Sequence, residues 1–299
     1  LDSLDTMRAF VAVADAGGFA AAARLLGLSP PAVTRAIAAI EERIGTRLLQ
    51  RTTRVVRLTE AGTHYLVDCK RILAEIAEAE ASAAGSHGEP AGQLAVTAPV
   101  MFGRLFVAPL VFDFQARHPR VTARLLLVDR VVDLVEEGLH VAVRIANLAD
   151  SSLSAARVGW LRRVVCASPG FLAAHGVPVR PGNLEGRDSI AFGGGVSPPG
   201  WSFPVAGRTE TIGVAHRLTV NTADVAVAAA VAGRGFTRVL SYQSAAEVAA
   251  GRLVIVLEDF EPPPIPIHIV HPEGRRASAR VRAFVDYAVE RLRAEPSLQ

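Results

Sequence analysis

The side chains best suited to chemistry in this sequence are arginines. Lys+Arg total 32 against 29 Asp+Glu, giving a formal charge of +3, and Lys70 is the lone lysine. A guanidinium is planar, permanently charged and donates through a fork that matches phosphates, carboxylates and base edges. A coding sequence rich in G and C would give the same bias. Arg35 stands among short side chains, Pro31, Thr34 and Ala38, on one side of a helical stretch. Such a surface can enter a nucleic-acid groove while one long side chain reaches base edges or phosphates. Arg51 and Arg54 flank the polar tip of two short strand-like runs between Arg47 and Leu58. A basic tip can touch phosphates or enter a minor groove, and a plain solvated hairpin reads the same way. Arg144, in the apolar run Val141 to Ile145, offers a ligand carboxylate a partner, or else a salt bridge to Asp129 or Asp133.

Other residue types suggest no catalysis. Gly193-Gly194-Gly195 is followed by no Gly-Lys-Ser/Thr and reads as a turn, not a phosphate loop. His268 and His271, three apart, lack a third metal ligand, and Ser168 lacks a nucleophile-elbow setting. Cys69 and Cys166 have no metal-type spacing and fit a reducing compartment. The expectation is a non-enzyme with no cofactor and no metal. Half the chain is apolar, yet no uninterrupted apolar run is long enough for a bilayer. Asp2, Asp5 and Arg8 interrupt the place where a secretory leader would turn apolar, so a cytoplasmic location is expected.

These residues need elements to hold them. Leu4, Met7, Val11 and Ala14, with Phe10 beside them, give a first helix one apolar face, ended by Gly17-Gly18. Phe19 to Leu26 forms a second helix stopped by Gly27, with Leu28 placed to pack beneath the turn. Ser29 suits an N-cap and Pro30 the first position of a third helix, whose buried row is Val33, Ile37, Ile40 and Ile44. Helix, glycine turn and capped helix form a helix-turn-helix, with the basic hairpin as its wing.

Thr59 caps a long helix from about Glu60. Leu66, Cys69, Leu73, Ile76 and Ala83 follow a three-four spacing that fits a seam with a second copy, or packing on the chain's own domain. The intermolecular seam is the favoured reading, with Cys69 a small core residue in it. Gly85 to Gly92 has linker composition. Beyond it, strands at Leu94–Thr97, Val121–Val128 and Val141–Ile145 alternate with helices at about Met101–Arg117 and Val131–Glu137, predicting a parallel sheet. Ligands in such sheets bind beyond the carboxyl ends of strands, here Thr97 to Met101, Asp129-Arg130, Arg144-Ile145 and Asn221 to Asp224. A strand at Ile265–Val270 and a helix at Ala277–Leu292 return the chain to the first subdomain.

The run Phe10-Val11-Ala12-Val13-Ala14-Asp15-Ala16-Gly17-Gly18-Phe19 resembles the DNA-binding domain of LysR-type transcriptional regulators. So do Ala21 to Ser29, Pro31 to Ile37, Gly45 to Leu49, and Arg51-Thr52-Thr53-Arg54 through Gly62. Asp133 to Gly138, Val141 to Ile145 and Cys166 to Pro169 extend the resemblance to the effector domain of that family. The family often has glutamine where Pro30 stands, and Ser and Thr at Gly18 and Ala20.

The resemblance implies an all-α winged helix-turn-helix domain plus long linker helix, joined to an α/β two-subdomain periplasmic-binding-protein-like domain. The expected bounds are 1–59 (helix-turn-helix about 19–38), 60–84 for the dimerisation helix, 85–92 for a hinge and 93–299 for the effector domain. Within that domain, 93–164 and 267–299 form one subdomain and 165–266 the other. Ser29, Pro31, Thr34, Arg35, Arg51, Thr53 and Arg54 are implied to meet double-stranded DNA at a two-fold symmetric promoter site. Leu66, Cys69, Leu73 and Ile76 are implied to pair a homodimer, with tetramer assembly behind it. Thr97, Pro99, Val100, Met101, Arg144, Phe192, Asn221 and Leu240 are implied to hold a small-molecule effector. Val100 and Met101 offer no hydroxyl, which favours an apolar or aromatic one. A solute-binding module without DNA affinity and a cryptic α/β enzyme are the competing readings.

Overall fold

Gly27 opens and Ser29 closes the turn on which the N-terminal unit depends. The computed structural model describes residues 2–51, 56–83, 89–148, 153–193, 200–272 and 277–299. The chain forms two compact units, Leu1–Gly88 and Glu89–Gln299.

In the first unit, α1 (Ser3–Ala16), α2 (Phe19–Leu26) and α3 (Pro30–Ile44) surround Phe10, Val13, Ala22, Ala23, Val33, Ile37 and Ile40. Gly27 takes the left-handed backbone at φ 64°, where a Cβ would be strained, and Leu28 N–H closes back on the Ala23 carbonyl at 2.9 Å. The sequence expectations for this core need three corrections. The apolar face of α1 holds Phe10, with Met7 and Val11 packed on the core, but its centre lies at Thr6, Ala9 and Val13; Thr6 tolerates burial because its hydroxyl donates to the Ser3 carbonyl at 2.8 Å. Leu28 and Ile44 are 41% and 39% exposed, because each lies at a helix end beyond the reach of the small core.

A short antiparallel pair, β1 (Leu49–Arg51) and β2 (Val56–Leu58), follows. Thr59 then caps α4 (Glu60–Ala83) by accepting from Gly62 N–H at 2.9 Å. Gly62 is required there: a Cβ would lie 2.0 Å from the Leu48 carbonyl oxygen, so α4 and the strand root meet backbone to backbone.

In the second unit, β3 (Gly92–Ala98) leads through α5 (Val100–Phe102), a π-helical turn at Gly103–Val107 and α6 (Ala108–Arg117) to β4 (Val121–Leu127) and β5 (Val141–Ile145). After β6 (Ser154–Leu161) the chain crosses at Arg162 into a second sheet. That sheet contains β7 (Arg163–Ala167), β8 (Asp188–Phe192), β11 (Ala215–Val220), β12 (Phe236–Leu240) and β13 (Val254–Val256). The helices α7 (Pro169–His175), α8 (Ala223–Val231) and α9 (Ser241–Ala249), and a hairpin of β9 (Gly200–Val205) and β10 (Arg208–Gly213), attend it. The chain returns through β14 (Ile265–His271) and α10 (Ala279–Arg293).

The first sheet has the order β4-β3-β5-β14-β6 and the second β11-β8-β12-β7-β13. The all-parallel expectation holds only for β4, β3 and β5 in the first sheet; the returning β14 runs antiparallel to both β5 and β6. The helix expected at Val131–Glu137 is a turn. Asp133 Oδ1 accepts from the backbone N–H of Val135 and Glu136, at 2.8 and 3.0 Å, and Gly138 (φ 61°) ends the turn at once.

Candidate functional site

Two sites are built, one in each unit. In the first, Ser29 Oγ accepts from Ala32 N–H at 3.4 Å and fixes where α3 starts. With Val33, Ile37 and Ile40 buried, the opposite side of α3 is turned to solvent, and Pro31, Arg35 and Ala38 are exposed there. Thr34 is half-buried, and its hydroxyl donates to the Pro30 carbonyl at 3.0 Å, which leaves it free only to accept. α2 begins at Gly18 with no side-chain cap. Arg51 ends β1, whereas Thr53 and Arg54 lie outside the described residues.

Spacing did not reveal how the wing is held. Glu41 Oε1 accepts from the backbone N–H groups of Leu48 and Leu49, at 2.9 and 3.0 Å. One carboxylate on α3 thus satisfies two donors at the root of β1. A Glu seven residues before a Leu-Leu strand start is the signal that could have found it.

The dimer-seam expectation needs correction at Cys69. That residue is 0% exposed within its own chain, packed with Phe10 and Ile40, and Leu66 and Tyr65 rest on the same cluster. Lys70 Nζ meets Asp15 at 2.6 Å and helps bind α4 to α1. The start of α4 therefore spends its apolar face on its own domain, and Cys69 has none left for a partner. Leu73 and Ile76 are half-buried.

In the second unit, a cleft of about 390 Å³ lies among the strand ends of the two sheets. The carboxyl ends of β3, β4, β8 and β12 converge on it, as expected for parallel strands. Of the expected ligand residues, Thr97, Pro99, Arg144, Phe192 and Leu240 line it. Val100, Met101 and Asn221 do not. Val100 contributes its backbone N–H to Asp129 Oδ1 at 3.0 Å, and Met101 turns onto the hydrophobic core. Asn221 follows β11, an edge strand, and is exposed one strand beyond Phe192.

Arg144 forms neither expected salt bridge among the described residues; it donates to the Val132 carbonyl at 3.1 Å. Asp129 and Arg130 line it where the strand-end rule put them, whereas the polar lining residues Arg163, Tyr242 and Gln243 escaped sequence reasoning. Gln243 Oε1 accepts from Leu240 N–H at 2.8 Å, and its amide donates to the Tyr242 hydroxyl at 3.3 Å. Burial pushes Tyr242 up to about 12, so it stays a neutral phenol. Its ring meets Phe102 edge-on at 5.5 Å.

Among the described residues no group of three or more His, Cys, Asp or Glu could hold a metal, and no helix is long and apolar enough to cross a membrane.

Residues 4–63 match the bacterial regulatory helix-turn-helix protein family, lysR type, and residues 87–293 match the LysR substrate binding domain. An HTH-type transcriptional repressor of Pseudomonas aeruginosa is 34% identical over 100% of this chain and 95% of its own length. The HTH-type transcriptional regulator CrgA of Neisseria meningitidis is 30% identical, with 96% of both chains covered. The solved structure of CrgA superposes with a TM-score of 0.61 at 29% identity, covering 98% of this chain and 99% of that one.

Proposed function

Because the chain belongs to the LysR-type family of transcriptional regulators, with a helix-turn-helix domain for DNA and a second domain for an effector, we propose that it reads a two-fold symmetric promoter site as a homodimer. The observation that carries this reading is the exposed face of α3. A Ser29-capped helix presents Pro31, Arg35 and Ala38 outward while a carboxylate on its own chain fixes the root of the adjoining wing. Arg35 reaches base edges, Ser29 and Thr34 touch the backbone, and Arg51, Thr53 and Arg54 follow the neighbouring groove. Pairing uses α4 beyond Lys70, around Leu73 and Ile76, and two dimers join as a tetramer. A small molecule in the cleft shifts the DNA-bound arrangement. The protein works in the cytoplasm and catalyses nothing.

Quantitative footprinting and anisotropy on the DNA upstream of its own gene test this reading. Binding is expected to weaken steeply with salt, and Arg35→Ala to cost about 1–3 kcal/mol with relaxed sequence preference. Salt-insensitive binding, or full affinity in Arg35→Ala, would overturn it in favour of a solute-binding module.

A further inference from the structure

Resting on the cleft as the effector site, we infer that its ligand is a small organic anion, a carboxylate or similar oxyanion on an apolar body, and that Arg163 is the residue that selects it. Arg163 opens β7 and lines the cleft. The other charged lining residues each have a partner within the chain. Arg130 pairs with Glu137 at 2.9 Å, Arg144 donates to Val132, and Asp129 accepts from Val100 N–H. Arg163 has no ion pair or acceptor among the described residues.

Its neighbour sharpens the point. β12 pairs antiparallel with β7, setting Leu240 opposite Arg163 and Arg238 opposite Val165, so the two arginines share a sheet face. Arg238 donates to the Ser202 carbonyl at 2.9 Å and lies over the Phe203 ring at 5.0 Å, with no carboxylate partner among the described residues. Burial first, and the charge of Arg163 second, together lower Arg238 to about 10. Two guanidiniums without a counter-ion repel, and a bound anion relieves that repulsion.

The remaining walls define the body of the ligand. Thr97 is 4% exposed, pairs with Ala142 on the cleft side of β3 and carries a hydroxyl with no partner among the described residues. It supplies a second donor. Pro99, Val128, Ile145, Phe192 and Leu240 are apolar. A compact branched or aromatic acid satisfies both parts.

Paired probes on the full chain test this: benzoate against benzamide, and 4-methylpentanoate against its amide, by calorimetric titration. In at least one pair the acid is expected to bind about tenfold tighter than the amide. Arg163→Gln should erase that preference and Arg163→Lys restore part of it, with ligand-free Arg163→Gln melting no lower than the parent, since the repulsion from Arg238 goes with the charge. Equal binding of acid and amide, no binding of either acid, or an acid preference that survives Arg163→Gln overturns the inference. Gly193→Trp separates this failure from that of the cleft reading, since Gly193 lines the cleft and nothing among the described residues lies within 4 Å of a Cβ there, which leaves room for a bulky side chain at the cleft wall. An amide displaced by Gly193→Trp but indifferent to Arg163→Gln leaves the cleft and removes the anion. Binding that survives Gly193→Trp removes the cleft itself.

Discussion

Cys166 lies on β7 at 0% exposure, and burial pushes its thiol up to about 12 despite a hydrogen bond with Ser244. Burial likewise raises Cys69, with a hydrogen bond from Tyr65 acting the other way. Only the thiolate reacts, so neither residue is available at neutral pH. Native protein at pH 8 should show no rapid reaction with an aromatic disulfide reagent, and addition of urea should release both thiols. Fast labelling of either in the native state would contradict this. At this scale the sequence was most readable where one residue acts on its own backbone. Ser29, Gly27 and Thr59 take the capping positions that their chemistry suggested. Arg163 was invisible because its importance lies in what it lacks, and the neighbours that fail to pair with it come from strands far along the chain.

Among the elements, the α3–β1 junction rests on Glu41. Replacing it with alanine strands two backbone donors at a half-buried site, and the expected loss is about 1–3 kcal/mol in urea unfolding. Glu41→Gln keeps an acceptor oxygen and should recover part of that loss; a variant as stable as the parent would show that water replaces the carboxylate. Element type was legible where apolar periodicity ran long, as in α3, α4 and α10. It failed at Val131–Glu137, where Asp133 bonds its own following amides and β-branched valines weaken helix formation. The spacing of Leu66, Cys69, Leu73 and Ile76 marked a true apolar face of α4. Periodicity says nothing about what covers a face, and for Cys69 the cover is α1 and α3 of the same chain.

Across the whole molecule, the buried Cys166 and Tyr242 tie stability to alkaline pH. Both ordinary values, 9.0 and 10.0, rise to about 12 in the folded chain. The unfolded chain therefore loses these protons first. Their contribution is complete below about pH 9 and disappears as pH climbs toward 12. The thermal midpoint is expected to fall steadily above pH 9, and Tyr242→Phe should flatten the fall; an unchanged slope would mean the phenol titrates normally. The two-subdomain plan was legible because the returning strand and helix carry clear patterns. The cleft lining was only partly legible, since α5 turns Met101 inward and β11 occupies a sheet edge, so family positions there point elsewhere in this chain.

Gly62 gives α4 a mechanical property. A helix of 24 residues is about 36 Å long. At its base, backbone rests on the Leu48 backbone with no side chain between to act as a cushion. Glu41 grips the adjacent amides from the other side. The helix is thus keyed at its base, backbone against backbone, to the strand pair that follows α3.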